Sequence, residues 1–297
     1  MARYISVLAF LLFATVNGEA CDACGCSISG QGIGLLTNFR TNVAGIRYFN
    51  TPFHAAPLEG STEDRFHLAE FFVRYQFNKR FKLMLSQPYR YNVRRDLHAS
   101  SLDIDGIADT RILGSYALVD QWTSNTSRLY WELGAGIKLP VGKYDADIHD
   151  RDMPENFNIG NGSWGYLLQT SAVYSNNQFG ISLNAASQLN GKTSAGYHFG
   201  NQISGSLLLF TEKSLGKKGR IVPLVGGSAE IISKDKFANG KNVHSTGGRG
   251  LYGMIGVNAG FDRWQLGASF SKPLTQHYSD GEVIADDRFS IEMNYFF

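Results

Sequence analysis

Apolar and polar residues alternate one for one along most of this chain. In "LYWELGAGIKLP", Leu129, Trp131, Leu133, Ala135, Ile137 and Leu139 fall on one face, and Glu132 and Lys138 fall on the other. In "ADTRILGSYALV", Ile112, Gly114, Tyr116 and Leu118 oppose Asp109 and Arg111. In "EFFVRYQF", Phe71, Val73, Tyr75 and Phe77 oppose Glu70, Arg74 and Gln76. The chain ends on "RFSIEMNYFF", with Phe289, Ile291, Met293, Tyr295 and Phe297 set against Ser290, Glu292 and Asn294. A period of two is that of a β-strand, and strands with one apolar and one charged face suit a wall between lipid and water.

Twelve such segments are predicted, at about 38–48, 66–77, 81–93, 107–119, 128–140, 163–175, 178–189, 199–211, 220–232, 250–261, 264–273 and 288–297. Their connections alternate in length. Those at 78–80, 176–177 and 262–263 are two or three residues long and the longer members of the same set, 120–127 and 212–219, are polar with turn residues, whereas 49–65, 94–106, 141–162, 190–198, 233–249 and 274–287 form the other, longer set. Bacterial outer-membrane barrels pair short periplasmic turns with longer outer loops. The expected fold is therefore all-β, a transmembrane antiparallel β-barrel of about 12 strands over 38–297, with both termini periplasmic. A soluble β-sandwich would also alternate, but it gives no reason for loop lengths to do so.

Composition agrees with a folded protein: 43% hydrophobic and 18% charged residues, with a formal charge of +2. There is no basic patch of the kind that serves a nucleic-acid partner. The apolar run from Ile5 to Val16 follows a single charge, Arg3, and leads to the small residues Gly18 and Ala20. Residues 1–20 thus read as a secretory signal peptide, and the expected location is the bacterial outer membrane. The chain's three cysteines, Cys21, Cys24 and Cys26, lie in a Cys-rich periplasmic segment at 21–37. Their spacing suits a soft metal ion, Cu or Zn, or thiol exchange with a periplasmic metal or redox partner. A local disulfide is the simpler alternative. His149 stands among Asp145, Asp147, Asp150, Asp152 and Glu155, and is a candidate ligand for a divalent ion.

Glu70, Arg74, Asp109, Arg111, Glu132, Lys138, Glu230 and Glu292 are expected to face the lumen. Two readings of these charges compete. They pair with one another simply to stay out of lipid, or they form a mixed-charge constriction that selects polar solutes. "GRGLYG" at 248–253 has dinucleotide-binding spacing but opens a strand rather than a helix, and "NGKT" at 190–193 lacks the upstream glycine of a phosphate loop.

The series "DGIADTRILGSYAL", "GAGIKLPVGKYDAD" and "NIGNGSWGYLLQTSAVY" resembles the outer-membrane family named after the MetA pathway of phenol degradation, most closely over residues 104–175. The cysteine cluster lies outside that stretch. The resemblance implies an outer-membrane channel or transporter for small molecules; no enzymatic activity is expected, and the expected partners besides the periplasmic one are outer-membrane lipid and a small-molecule or ion solute. A membrane-embedded hydrolase and a surface receptor are the alternatives from other classes.

Overall fold

The computed structural model describes residues 42–55, 62–96, 101–124, 126–151, 153–176, 179–216 and 218–297. The expected signal peptide and Cys21, Cys24 and Cys26 lie outside the described residues. Twelve long strands make one wall: β1 (Val43–Ala55), β2 (Thr62–Gln76), β3 (Phe81–Asp96), β4 (Thr110–Trp122), β5 (Arg128–Leu139), β6 (Gly165–Ser175), β7 (Gly180–Asn190), β8 (Gln202–Phe210), β9 (Gly219–Ile232), β10 (Gly248–Phe261), β11 (Trp264–Tyr278) and β12 (Arg288–Phe296). Each is antiparallel to the next. The wall closes because β1 pairs with β12 in continuous register from Val43↔Phe296 to Asn50↔Phe289. Three short strands, Leu102–Ile107, Lys213–Leu215 and Val283–Ala285, extend the sheet beside β3, β9 and β1.

The outward faces are apolar. Ile46, Phe71, Leu85, Leu133, Leu183, Ile255 and Ile291 are exposed around the middle of the wall. Tyr75, Phe77, Trp122, Phe261 and Trp264 mark the end that carries Asn42, Phe297 and the short turns, and Tyr89, Tyr91, Trp164 and Tyr166 mark the other. Aromatic girdles of this kind flank the apolar band of outer-membrane barrels.

The interior has three levels. Ala117, Tyr130, Val173, Leu208, Phe210, Val222, Leu224 and Met254 fill part of the turn end. A belt of charged and polar side chains crosses the middle. At the loop end, Phe53, Phe66, Tyr252 and Tyr278 form a second apolar cluster with Ile148, Met153 and Phe157 from the loop between β5 and β6. This upper cluster explains the main departure from the expected strands. β1 runs to Ala55 rather than ending near 48, because Phe53 turns inward to pack there while Pro52 and His54 turn out, reversing the simple polar-in pattern. β11 likewise continues to Tyr278, so His277 as well as His54 lies in a strand and not in a loop.

One rung of the wall is irregular. β3 pairs with β4 up to Ser86↔Arg111 and resumes with Leu102–Ile107 from Tyr89↔Ile107. Pro88 has no N–H to give. The Gln87 amide fills the gap, donating to Ala108 O at 2.8 Å and Pro88 O at 3.1 Å.

Closure makes a specific demand on the two terminal strands. Ala44 and Tyr295 are direct partners, so in a background with Cys21, Cys24 and Cys26 replaced by serine, Ala44→Cys with Tyr295→Cys should oxidise to an intramolecular crosslink. The product should keep a heat-modifiable gel shift. Crosslinked dimers in place of monomers would mean that the sheet is open.

Candidate functional site

The ladder break at Ala108 and Asp109 frees the chain to aim one carboxylate inward. Asp109 is 5% exposed. Its Oδ2 accepts hydrogen bonds from Lys138 Nζ at 2.8 Å and from the Asn161 backbone N–H at 2.9 Å, and its Oδ1 accepts from the Gly142 N–H at 3.1 Å. Lys138 is the last residue but one of β5, Gly142 lies at the start of the long loop, and Asn161 lies near its end. Asp109 therefore clamps the two ends of the loop together at a neck. Gly142 and Gly160 meet there, and a Cβ on Gly160 would lie 2.6 Å from the Gly142 carbonyl carbon and oxygen. Only glycine permits that approach.

Above the neck the loop folds into the barrel mouth. Ile148, Phe157 and Ile159 are at most 1% exposed. Phe157 packs on Phe66, with ring centres 5.0 Å apart, and its carbonyl accepts from Asn92 Nδ2 at 3.0 Å. Arg94 stands over the same ring at 5.1 Å, held by Asp64 at 2.8 and 2.7 Å. Asn158 ties the loop to itself through the Asp145 backbone and Glu155 Oε2. Beneath the seat, Glu230 takes hydrogen bonds from Arg288 at 2.8 and 3.1 Å and from the hydroxyls of Tyr252 and Tyr278.

All eight residues expected to face the lumen point inward. Glu70, Arg74, Asp109, Glu132, Lys138, Glu230 and Glu292 are buried, and the Arg111 side chain is 12% exposed. They do not form one ring. Asp109 and Lys138 belong to the neck, Glu230 to the seat, and Glu132 to a cluster with Lys82 and Tyr130. Glu70 and Glu292 flank Arg47 at 3.6 and 3.7 Å, and Arg111 approaches Glu70 at 3.7 Å.

Sequence reading missed Arg47, Lys82 and Arg288. Lys82 was readable, because Phe81, Leu83 and Leu85 alternate around it. Arg47 needs the register of β1, which sets it directly opposite both Glu70 and Glu292.

His149 lies 3.4 Å from Glu155 and is otherwise largely exposed. Among the described residues, no group of three or more His, Cys, Asp or Glu side chains is placed to hold a metal ion.

The neck brings together Asp109, Lys138 with Gly142, and Gly160 with Asn161, one from each of three separate sequence stretches. A family model described as "Putative MetA-pathway of phenol degradation" matches residues 85–277, which contain all of them. The chain belongs to this family. The fold of this MetA-pathway family member is also that of a crystallised outer-membrane channel from Pseudomonas putida F1, at 12% identity and a TM-score of 0.65, covering 87% of this chain and 96% of that one. The β-domain of the Bordetella autotransporter BrkA is a further structural match, with 12% identity, a TM-score of 0.52, and coverage of 86% and 100%. No curated protein matches the sequence. The chain is a closed antiparallel β-barrel with the fold of these outer-membrane proteins.

The loop carries its own pH dependence. Burial pushes the Glu155 carboxyl from its ordinary 4.5 up to about 7; the Asn158 amide works against this, and Asp235 and Asp145 add to it. A raised carboxyl favours the protonated, seated state, so its contribution is complete below pH 4.5 and is lost as the pH rises through about 7. Hydrogen exchange of amides 155–161, corrected for intrinsic rate, should therefore accelerate between those limits in the wild type. Glu155→Gln should flatten the response. An unchanged slope in that variant would assign the effect to another group.

Proposed function

We propose that the protein is an outer-membrane channel for small solutes, narrow through its charged belt and closed at the outer end by the seated loop. The observation that carries this reading is the division of the wall into an apolar outer face and a charged inner belt, beneath a loop whose ends meet at one clamp. A barrel needs only an apolar exterior to sit in lipid, whereas buried charge inside it is costly to assemble. A hydrated path repays that cost. The family description names phenol degradation, and a solute of phenol's size, part apolar and part polar, suits a path that runs from apolar cluster to charged belt. Glu70, Arg74, Asp109, Arg111, Glu132, Lys138, Glu230 and Glu292 would line it. The buried acids at the neck and seat are tied to cations and hydrogen-bond donors in fixed structural roles, which favours a channel over an enzyme.

Bilayer recording on refolded protein tests the proposal. Asp109→Ala removes one partner of the buried ion pair that clamps the loop, a change that costs about 3 kcal/mol or more, and should raise the ratio of open to closed channels by roughly a hundredfold. Arg111→Glu and Glu132→Lys should move the reversal potential in a salt gradient in opposite directions. Properly folded protein that conducts in none of these forms would overturn the channel reading.

Metal or thiol chemistry at the cysteines is a separate proposal that rests on spacing alone. Reduced mature protein should take up about one Cu(I) or Zn(II) per chain. Uptake equal to that of a variant with Cys21, Cys24 and Cys26 replaced by serine would dispose of it.

A further inference from the structure

In the middle of the barrel, strand register gathers donors that nothing in the wall accepts. Ser86 and Arg111 are direct partners across β3 and β4, and Arg47 stands on β1 between Glu70 and Glu292. Arg47, Ser86 and Arg111 line one void together with Glu70, Met84 and Leu113. Arg47 Nε, Arg111 Nε and Ser86 Oγ are all buried with no hydrogen-bond partner. Glu70 and Glu292 approach the two guanidinium groups only to 3.6–3.7 Å, outside hydrogen-bond reach.

Such a void requires an acceptor, because buried donors left without one are destabilising. Its charge decides what kind. Two guanidinium groups face it and one carboxylate, Glu70, faces them. Glu292 lies beyond Arg47 and does not line the void; its Oε1 accepts from Gln265 Nε2 at 3.3 Å, and its Oε2, 3.7 Å from Arg47 Nε, has no hydrogen-bond partner among the described residues. A water accepts from two of the three donors, whereas an anion accepts from all three and balances the second guanidinium that lines the void. The small hydroxyl of Ser86 on one side and the carboxylate of Glu70 on the other restrict the guest to a single negative charge. Met84, unbranched and flexible, forms part of the apolar side and is the side chain that a larger tail would displace.

We propose that this void binds one monovalent anionic group, either a free halide or the carboxylate head of a small organic acid, between Arg47, Arg111 and Ser86. The proposal holds whether or not the barrel conducts, since binding is measured on the purified protein in detergent.

The test uses bromide and benzoate as probes, with protein prepared in sulfate buffer. Crystals soaked in bromide should show an anomalous peak within hydrogen-bond reach of Arg47, Ser86 and Arg111. Benzoate that displaces this peak identifies a carboxylate-head site; bromide that benzoate leaves in place identifies a halide site. By calorimetry, Arg111→Gln should weaken bromide binding about tenfold, as expected for the loss of a charge-assisted bond. Ser86→Ala, which leaves every charge in place, should weaken it by a smaller factor of about three. Both variants are first checked for the heat-modifiable gel shift, and Ser86→Ala keeps the test open if Arg111→Gln does not fold. Water density alone at the site in bromide and in benzoate, or bromide affinity unchanged in the folded variants, overturns the proposal.

Discussion

Lipid offers no hydrogen-bond partner to a peptide group, and the rest of this molecule follows from that constraint. Each strand must have a neighbour on both sides, so β1 has to find β12 and the sheet must close. Closure gives every side chain one of two solvents. The outward positions become aliphatic in the middle and aromatic at the ends, while charge retreats inward. The constraint also governs the exception. Pro88 cannot complete its rung, and the Gln87 side chain supplies the missing donor to Ala108 O. Just beyond that irregular rung, Asp109 leaves the ladder and reaches the neck of the loop.

Inside the barrel, charges fall into two kinds. Lys138 with Asp109 and Arg288 with Glu230 meet at 2.8 Å, with further donors completing each carboxylate. These pairs sit where the loop is clamped and seated, and their geometry is that of structural brackets. Arg47, Glu70, Arg111 and Glu292 are equally enclosed, yet they stay 3.6–3.7 Å apart. Coulomb attraction at that separation holds the side chains in place without using all their donors.

The wall was legible in the sequence because period-two alternation is imposed on each strand separately by the two solvents. β9 begins within a residue of the position that alternation predicts, and β3, β5 and β11 begin at theirs. Legibility failed where the inner solvent changes. At the loop end the interior becomes apolar, Phe53 and Tyr278 turn inward, and the pattern that defines a strand lower down no longer defines it there. The inward direction of Glu70, Arg111 and Glu132 could be read from one strand at a time. Their partners could not, since Arg47 meets Glu70 and Glu292 only through the pairing of the first strand with the second and the last.

The three stretches that carry the family resemblance look unrelated in sequence because their connection is spatial. Asp109 follows an irregular rung, Lys138 and Gly142 straddle the end of β5, and Gly160 and Asn161 precede β6. A loop closed at its neck by one carboxylate is a ring whose interior residues can pack as a unit. Phe157 and Ile148 then enter the barrel mouth together, and their burial favours seating. Glu155 opposes it, because the same burial sets a carboxyl among other acids. The seat thus combines an apolar attraction that pH does not alter with a carboxyl penalty that grows as Glu155 ionises. A fixed plug would need only the first; the second makes seating depend on pH.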